Sequence, residues 1–191
     1  MALAKFAKPA GTWRYEDLAS LPDDGTRYEI IDGDLYELGG PRSVHARVIA
    51  RLIVLLLPVL DRLGAEWVNA PLDVFFAGAN PVEPDIMVLL PGSRAQFVDN
   101  GIIGPPDLLI EVVTPANREH DTVRKRALYA RGGVREYWIV DPEFRAIEVI
   151  GAEGETLERV AADGDGELRW RSPLLGEFAL DAAEMFPRFE D

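Results

Sequence analysis

The chain predicts an α/β (α+β) fold: a mixed central sheet with few flanking helices, an antiparallel edge and an N-terminal hairpin. Three observations carry this reading. Residues 86–90 and 108–113 are continuous apolar runs, the second broken only by Glu111, as expected of strands buried on both faces of a sheet. Residues 44–63 form the long stretch with apolar residues at helical spacing. Elsewhere short runs are punctuated by Gly, Pro and Asp-Gly, the pattern of hairpins.

In order along the chain, Trp13 to Leu18 reads as a short helix stopped at Leu21-Pro22, with a turn at Asp23-Asp24-Gly25. Residues 27–31 and 34–38 read as two strands joined by Asp32-Gly33, and Gly39-Gly40-Pro41 closes the unit. The acids of this hairpin are expected on a solvated face. Ser43 is the expected cap of helix 44–63 and Gly64 its stop, with Pro58 bending the last turn or ending the helix early. His45, Ile49, Leu52 and Leu56 share one stripe, so His45 begins the inward face.

Residues 67–76 read as one or two strand pieces, and residues 78–81 as a turn toward Pro84-Asp85. A strand to Leu90 follows, then a loop through Pro91-Gly92 and Asp99-Asn100-Gly101. After Pro105-Pro106 comes the strand 107–113, ended by Thr114-Pro115-Ala116-Asn117. Asp121 is the expected cap of a helix running to about Arg131 and stopped by Gly132-Gly133. Strand 136–140, halted at Asp141-Pro142, pairs with 145–150, and the remainder reads as antiparallel edge strands.

The chain has 191 residues, 48% of them hydrophobic, which suits one domain spanning 1–191 with a real core. It contains no cysteine, so neither disulfides nor thiolate metal sites are open to it. The start lacks the apolar core of a signal peptide, and Arg47, Arg51, Asp61 and Arg62 count against a membrane span in helix 44–63. A cytoplasmic protein with no membrane partner is expected. The formal net charge of −13 argues against tight non-specific binding to nucleic acid. That charge is uneven: residues 118–135 hold six bases and two acids, a stretch suited either to an anionic ligand or to an ordinary solvated helix face.

Lys125 lies in this basic stretch. The chain has seventeen arginines and three lysines, and Lys5 and Lys8 belong to the N-terminal arm. A lysine kept where arginine otherwise serves suggests a need for a compact ammonium. A carboxylate within an apolar run is costly unless paired, protonated or bound to a cation. Asp85 and Glu111, on neighbouring strands, with Lys125 nearby, therefore suggest a divalent-cation site for phosphate chemistry. Mg²⁺ (or Mn²⁺) takes carboxylates and water as ligands, and the carbonyl of Val112 is within reach of an ion held by Glu111. A buried ion pair with Lys125 and no metal is the competing reading.

The order Pro84-Asp85, then Glu111 with Val112 and Val113, resembles the PD-(D/E)XK nuclease superfamily. The usual lysine two residues after the second carboxylate is Val113 here. That departure matches one branch, the restriction endonucleases of the Uma-two type, in which the lysine stands on the following helix. The resemblance extends through residues 28–35, His45, residues 70–74, residues 121–126, Tyr129, residues 133–142 and residues 172–175. It implies a restriction-endonuclease-like fold, with Asp85 and Glu111 as metal ligands and Lys125 as the catalytic ammonium. His45 takes the place of the acid that superfamily members carry on the first core helix, as ligand or water holder, and Glu37 is a further candidate. Tyr129, one turn after Lys125, shares its face and is placed to orient it. The implied activity is Mg²⁺-dependent hydrolysis of phosphodiester bonds in DNA by a homodimer. The alternative is a binding or structural module on a nuclease fold without turnover.

Overall fold

The computed structural model describes residues 8–39, 43–76 and 80–186. The centre of the molecule is a six-stranded mixed sheet in the order β12-β11-β10-β9-β6-β3. Its members are β3 (Glu66–Asn69), β6 (Ile86–Leu89), β9 (Leu108–Val112), β10 (Glu136–Asp141), β11 (Ala146–Gly151) and β12 (Thr156–Ala161). The strands β6, β9 and β10 are buried at every position, Glu111, Glu136 and Asp141 included, as strands covered on both faces must be. Only β9 and β10 run parallel within this sheet; the other neighbouring pairs are antiparallel.

Side-chain alternation sends Ile86, Val88, Leu108, Ile110 and Val112 to one face of the sheet. There they meet helix α1 (Ser43–Leu63) through Val48, Leu52, Leu56 and Leu60. The hairpin β13 (Glu167–Ser172) and β14 (Gly176–Asp181) covers the same face with the short α3 (Ala182–Met185), and Trp138 packs edge-on against Trp170 and Phe178. Met87, Leu89, Leu109 and Val113 point to the opposite face, against α2 (Arg126–Gly132) and a four-stranded sheet ordered β5-β4-β8-β7. That second sheet comprises β4 (Asp73–Phe76), β5 (Asn80–Val82), β7 (Gln96–Val98) and β8 (Gly101–Ile103).

The expected N-terminal hairpin is present as β1 (Tyr28–Ile31) and β2 (Asp34–Glu37). Asp32 and Gly33 both have positive φ, +55° and +78°, the geometry a tight two-residue turn demands. A side chain at Gly33 would also strike the backbone of Gly11 at 2.5 Å.

Several expectations need correction. The stretch read as a loop between Pro91 and Gly101 contains β7, which pairs with β8 just beyond it. Three-residue strands are too short to show a period. Of the C-terminal strands only β12 joins the main sheet; β13 and β14 form their own hairpin. Pro58 does not end α1, which runs on to Leu63 with Pro58 on its exposed side, where its ring removes only the amide that would have donated to the Val54 carbonyl. The first helical segment is a 3-10 turn at Tyr15–Ser20, and Lys8, in the N-terminal arm, is in an ion pair with Asp17. Lys5, Gly40-Pro41 and Gly78-Ala79 lie outside the described residues.

Candidate active site

The register of β6 against β9 pairs Ile86 with Ile110. Continued by one residue, it sets Asp85 opposite Glu111, and residues opposite one another on an antiparallel pair project from the same face. Both carboxylates thus leave the sheet on the α2 side. The amide of Val112 donates to Asp85 Oδ2 at 2.7 Å, and His45 Nε2, from the first turn of α1, lies 3.0 Å from the same oxygen. His45 therefore reaches Asp85 around the end of the sheet, since α1 packs on the other face.

Glu111 is 2% exposed and its Oε1 is held twice: Tyr129 donates its hydroxyl at 2.7 Å, and Lys125 Nζ donates at 2.8 Å. Tyr129 and Lys125 do share a face, as expected, but they meet on Glu111 and not on each other. Val113, two residues after Glu111, packs in the core. The ammonium that the usual motif would supply from position 113 arrives instead from the segment after the strand.

That segment is a π-helical turn, His120–Lys125, running directly into α2. Asp121 is not a helix cap. It sits inside the π turn, fully buried, 3.7 Å from Lys125 Nζ, and neither carboxylate oxygen has a hydrogen-bond partner. The wider π turn brings His120, Asp121 and Lys125 inward together, and such turns recur at functional sites.

Sequence reasoning missed Glu29. Expected on a solvated face, it is fully buried on β1, with Oε1 2.8 Å from Lys125 Nζ and accepting from the amide of Glu83 at 2.7 Å. Its Oε2 is 2.7 Å from His120 Nε2. The signal was available: Glu29 stands beside Tyr28, Ile30 and Ile31, as Glu111 stands in its own apolar run. Both histidines of the chain consequently contact site carboxylates.

Glu29, Glu111 and Asp121 crowd around one ammonium, and Asp85 lies across the strand pair from Glu111. Burial pushes Glu111 well above the usual carboxylate range, against the pull of Lys125. Burial likewise raises Asp121, to about 7. Glu29 goes the other way: burial opposes its ionisation, but Lys125 and His120 together hold it below the ordinary value. For Lys125 burial alone would favour the neutral amine, and Glu111, Glu29 and Asp121 outweigh it, so the ammonium stays charged. The site thus holds more buried acid than it can neutralise.

Asp85, Glu111, Lys125, His45 and His120 line a cleft of about 410 Å³, with Glu29 and Asp121 buried behind it, and its walls include Arg27, Arg124, Tyr36 and the exposed Glu37. The Arg124 guanidinium lies 5.3 Å from the centre of the Tyr36 ring. Among the described residues no three His, Asp or Glu side chains already converge as a metal cage. The donor set nonetheless suits a hard divalent ion, which needs only one or two carboxylates and completes its shell with water. The excess of buried acids over cations, and the unpartnered Asp121 oxygens beside Lys125, point the same way.

A three-layer mixed sheet with acids and a lysine at one mouth is the architecture of restriction-endonuclease-like nucleases. A crystal structure described as "a putative nuclease belonging to DUF820" from Anabaena variabilis superposes with a TM-score of 0.71 at 20% identity, covering 90% of this chain and 96% of that one. The chain belongs to the Uma2 family, described as "Putative restriction endonuclease", which it matches over residues 15–183. It is also 28% identical, over 118 residues, to the "Uncharacterized protein slr1290" of Synechocystis, a match covering 60% of each chain.

Proposed function

We propose that this protein is a divalent-cation-dependent endonuclease that hydrolyses phosphodiester bonds in DNA, acting in the cytoplasm as a homodimer. The observation that carries the reading is the cross-strand placement of Asp85 and Glu111 at the floor of the cleft, with Lys125 bonded to Glu111. Asp85, Glu111 and the Val112 carbonyl are the residues that would hold Mg²⁺ or Mn²⁺. When bound, the ion would polarise the phosphoryl group and lower the pKa of the attacking water.

The chain's own groups do the rest. Lys125 is a compact donor for a phosphate oxygen or for the attacking water, where negative charge grows in the transition state. Glu29 keeps that ammonium in place while Glu111 serves the ion. His45 fixes the rotamer of Asp85, and Tyr129 fixes that of Glu111. Arg27 and Arg124, on the cleft wall, are placed to meet the phosphates that flank the scissile one.

The test is nicking of supercoiled plasmid with Mg²⁺ or Mn²⁺. Wild type should nick, and Asp85→Ala and Lys125→Ala should each lose activity by a factor of about a hundred or more. Cleavage that persists in either variant would move the chemistry elsewhere. An inert wild type that still binds DNA would favour the binding-module reading, to which the net charge of −13 lends some support.

A further inference from the structure

Helix α1 has two apolar faces, and the sheet uses only one. Val48, Leu52, Leu56 and Leu60 are buried against it. On the opposite side Arg47, Ala50, Val54, Leu57, Pro58 and Asp61 are all exposed, Val54 at 73% and Leu57 at 38%. A helix on the surface of a globular protein ordinarily turns polar residues outward. Here the outward stripe is apolar through its middle two turns and charged only at its ends.

The spacing is informative. Arg47, Ala50, Val54, Leu57 and Asp61 follow one another at intervals of three and four residues, the rhythm of a helix-pairing seam. Arg47 and Asp61 lie equally far from Val54, one before it and one after. If two such helices pair antiparallel across a two-fold axis near Val54, Arg47 of each copy falls opposite Asp61 of the other. Ala50 then falls opposite Pro58, and Leu57 opposite the half-buried Arg51, whose aliphatic stem it can cover. A parallel pairing would set Arg47 against Arg47 and Asp61 against Asp61, so the charge pattern selects one orientation. Self-complementarity of this kind is what an isologous dimer contact requires.

We infer that the outer face of α1 is the contact through which two copies of this chain associate, antiparallel and centred on Val54. The inference rests on the two-copy part of the reading above and is independent of the phosphodiester chemistry. It has a consequence for the sites. His45 stands nine residues before Val54, so the two copies of His45 lie roughly 27 Å apart along the helix axis, at 1.5 Å of rise per residue. A single helix pair buries less than a standard interface, so the dissociation constant should be on the order of micromolar.

Sedimentation velocity across the micromolar range is the test. Wild type should pass from monomer to dimer, and Val54→Glu should weaken association at least tenfold by bringing two carboxylates together at the axis. Arg47→Glu alone and Asp61→Arg alone should each weaken it, and the double variant Arg47→Glu/Asp61→Arg should restore it. Because Val54 is solvated in the single chain, an unchanged melting curve for Val54→Glu separates lost association from lost folding. A dimer indifferent to Val54→Glu and to both charge reversals overturns the surface. A wild type that stays monomeric overturns the two-copy reading with it. A monomer that floats with phospholipid vesicles, and ceases to do so as Val54→Glu, assigns the face to a bilayer and overturns the proposal. Plasmid nicking is a separate readout: its absence in a dimeric wild type counts against the nuclease and leaves the surface standing.

Discussion

Lys125 Nζ and Glu29 Oε1 meet at 2.8 Å, joining the π turn to the N-terminal hairpin. The pair is fully enclosed, with side-chain exposures of 3% and 0%. Glu29 is therefore a positioning residue whose loss should register in two ways. Glu29→Gln keeps the shape but removes the charge, leaving Lys125 to Glu111 and Asp121. Breaking a buried pair costs about 3–5 kcal/mol, and because Glu111 remains as partner a value of about 3 kcal/mol is expected in urea denaturation. Nicking should fall while the metal-induced rise in melting temperature persists; a variant as stable and as active as wild type would remove Glu29 from the site.

Asp121 gives the pH dependence. Its carboxyl is raised to about 7 by burial, so the folded protein binds a proton there that the unfolded chain releases near the ordinary value of 3.8. Its contribution to stability is complete at low pH and is lost as pH climbs from about 4 through 7. At 1.36 kcal/mol per unit this amounts to at most about 4 kcal/mol in the metal-free protein. Asp121→Asn should flatten that decline and leave the variant more stable than wild type at about pH 8, by roughly 2 kcal/mol or more. Denaturation at a series of pH values checks this. Parallel profiles for the two proteins would mean that Asp121 titrates in the fold at its ordinary value.

Much of this site was legible in the sequence because burial makes charge conspicuous. Asp85 and Glu111 stood out against apolar strands, and the sheet does bring them opposite each other. Glu29 had the same signature but sat among exposed acids: Asp32 and Glu37, on the same hairpin, do face solvent, and they masked it. Asp121 was hidden by a different cause. An aspartate before a helical run ordinarily reads as a cap, and nothing in the local residues announces a π turn that swings it inward. The β7–β8 hairpin escaped because its pairing depends on β4, a partner distant in sequence.

Cation binding should show itself as stability. Where buried acids outnumber their cations, Mg²⁺ or Mn²⁺ binding only the folded state raises stability by mass action, about 2.7 kcal/mol at a hundred times the dissociation constant. A concentration-dependent rise in melting temperature is expected for wild type and for Lys125→Met, and not for Asp85→Asn. An equal rise in Asp85→Asn would place the ion away from this carboxylate. No rise in wild type would leave Lys125 as the sole counter-charge, which is the ion-pair reading of the site.

Tyr129 separates orientation from charge. Its hydroxyl donates to the Glu111 oxygen that also accepts from Lys125, at 2.7 and 2.8 Å. Tyr129→Phe preserves the packing against Phe76 and Tyr137 and removes only that donor. A lost buried hydrogen bond to a charged or partly charged acceptor costs about 1.5–3 kcal/mol. Because Lys125 still holds Glu111, the lower end is expected. The effect on nicking should fall on kcat, by about tenfold, with KM for DNA little changed, since Tyr129 lies beneath the cleft floor and touches no position that DNA would occupy. Raised KM with kcat intact would instead mean that the hydroxyl shapes the DNA-binding wall, and the role assigned to Tyr129 through Glu111 would fail.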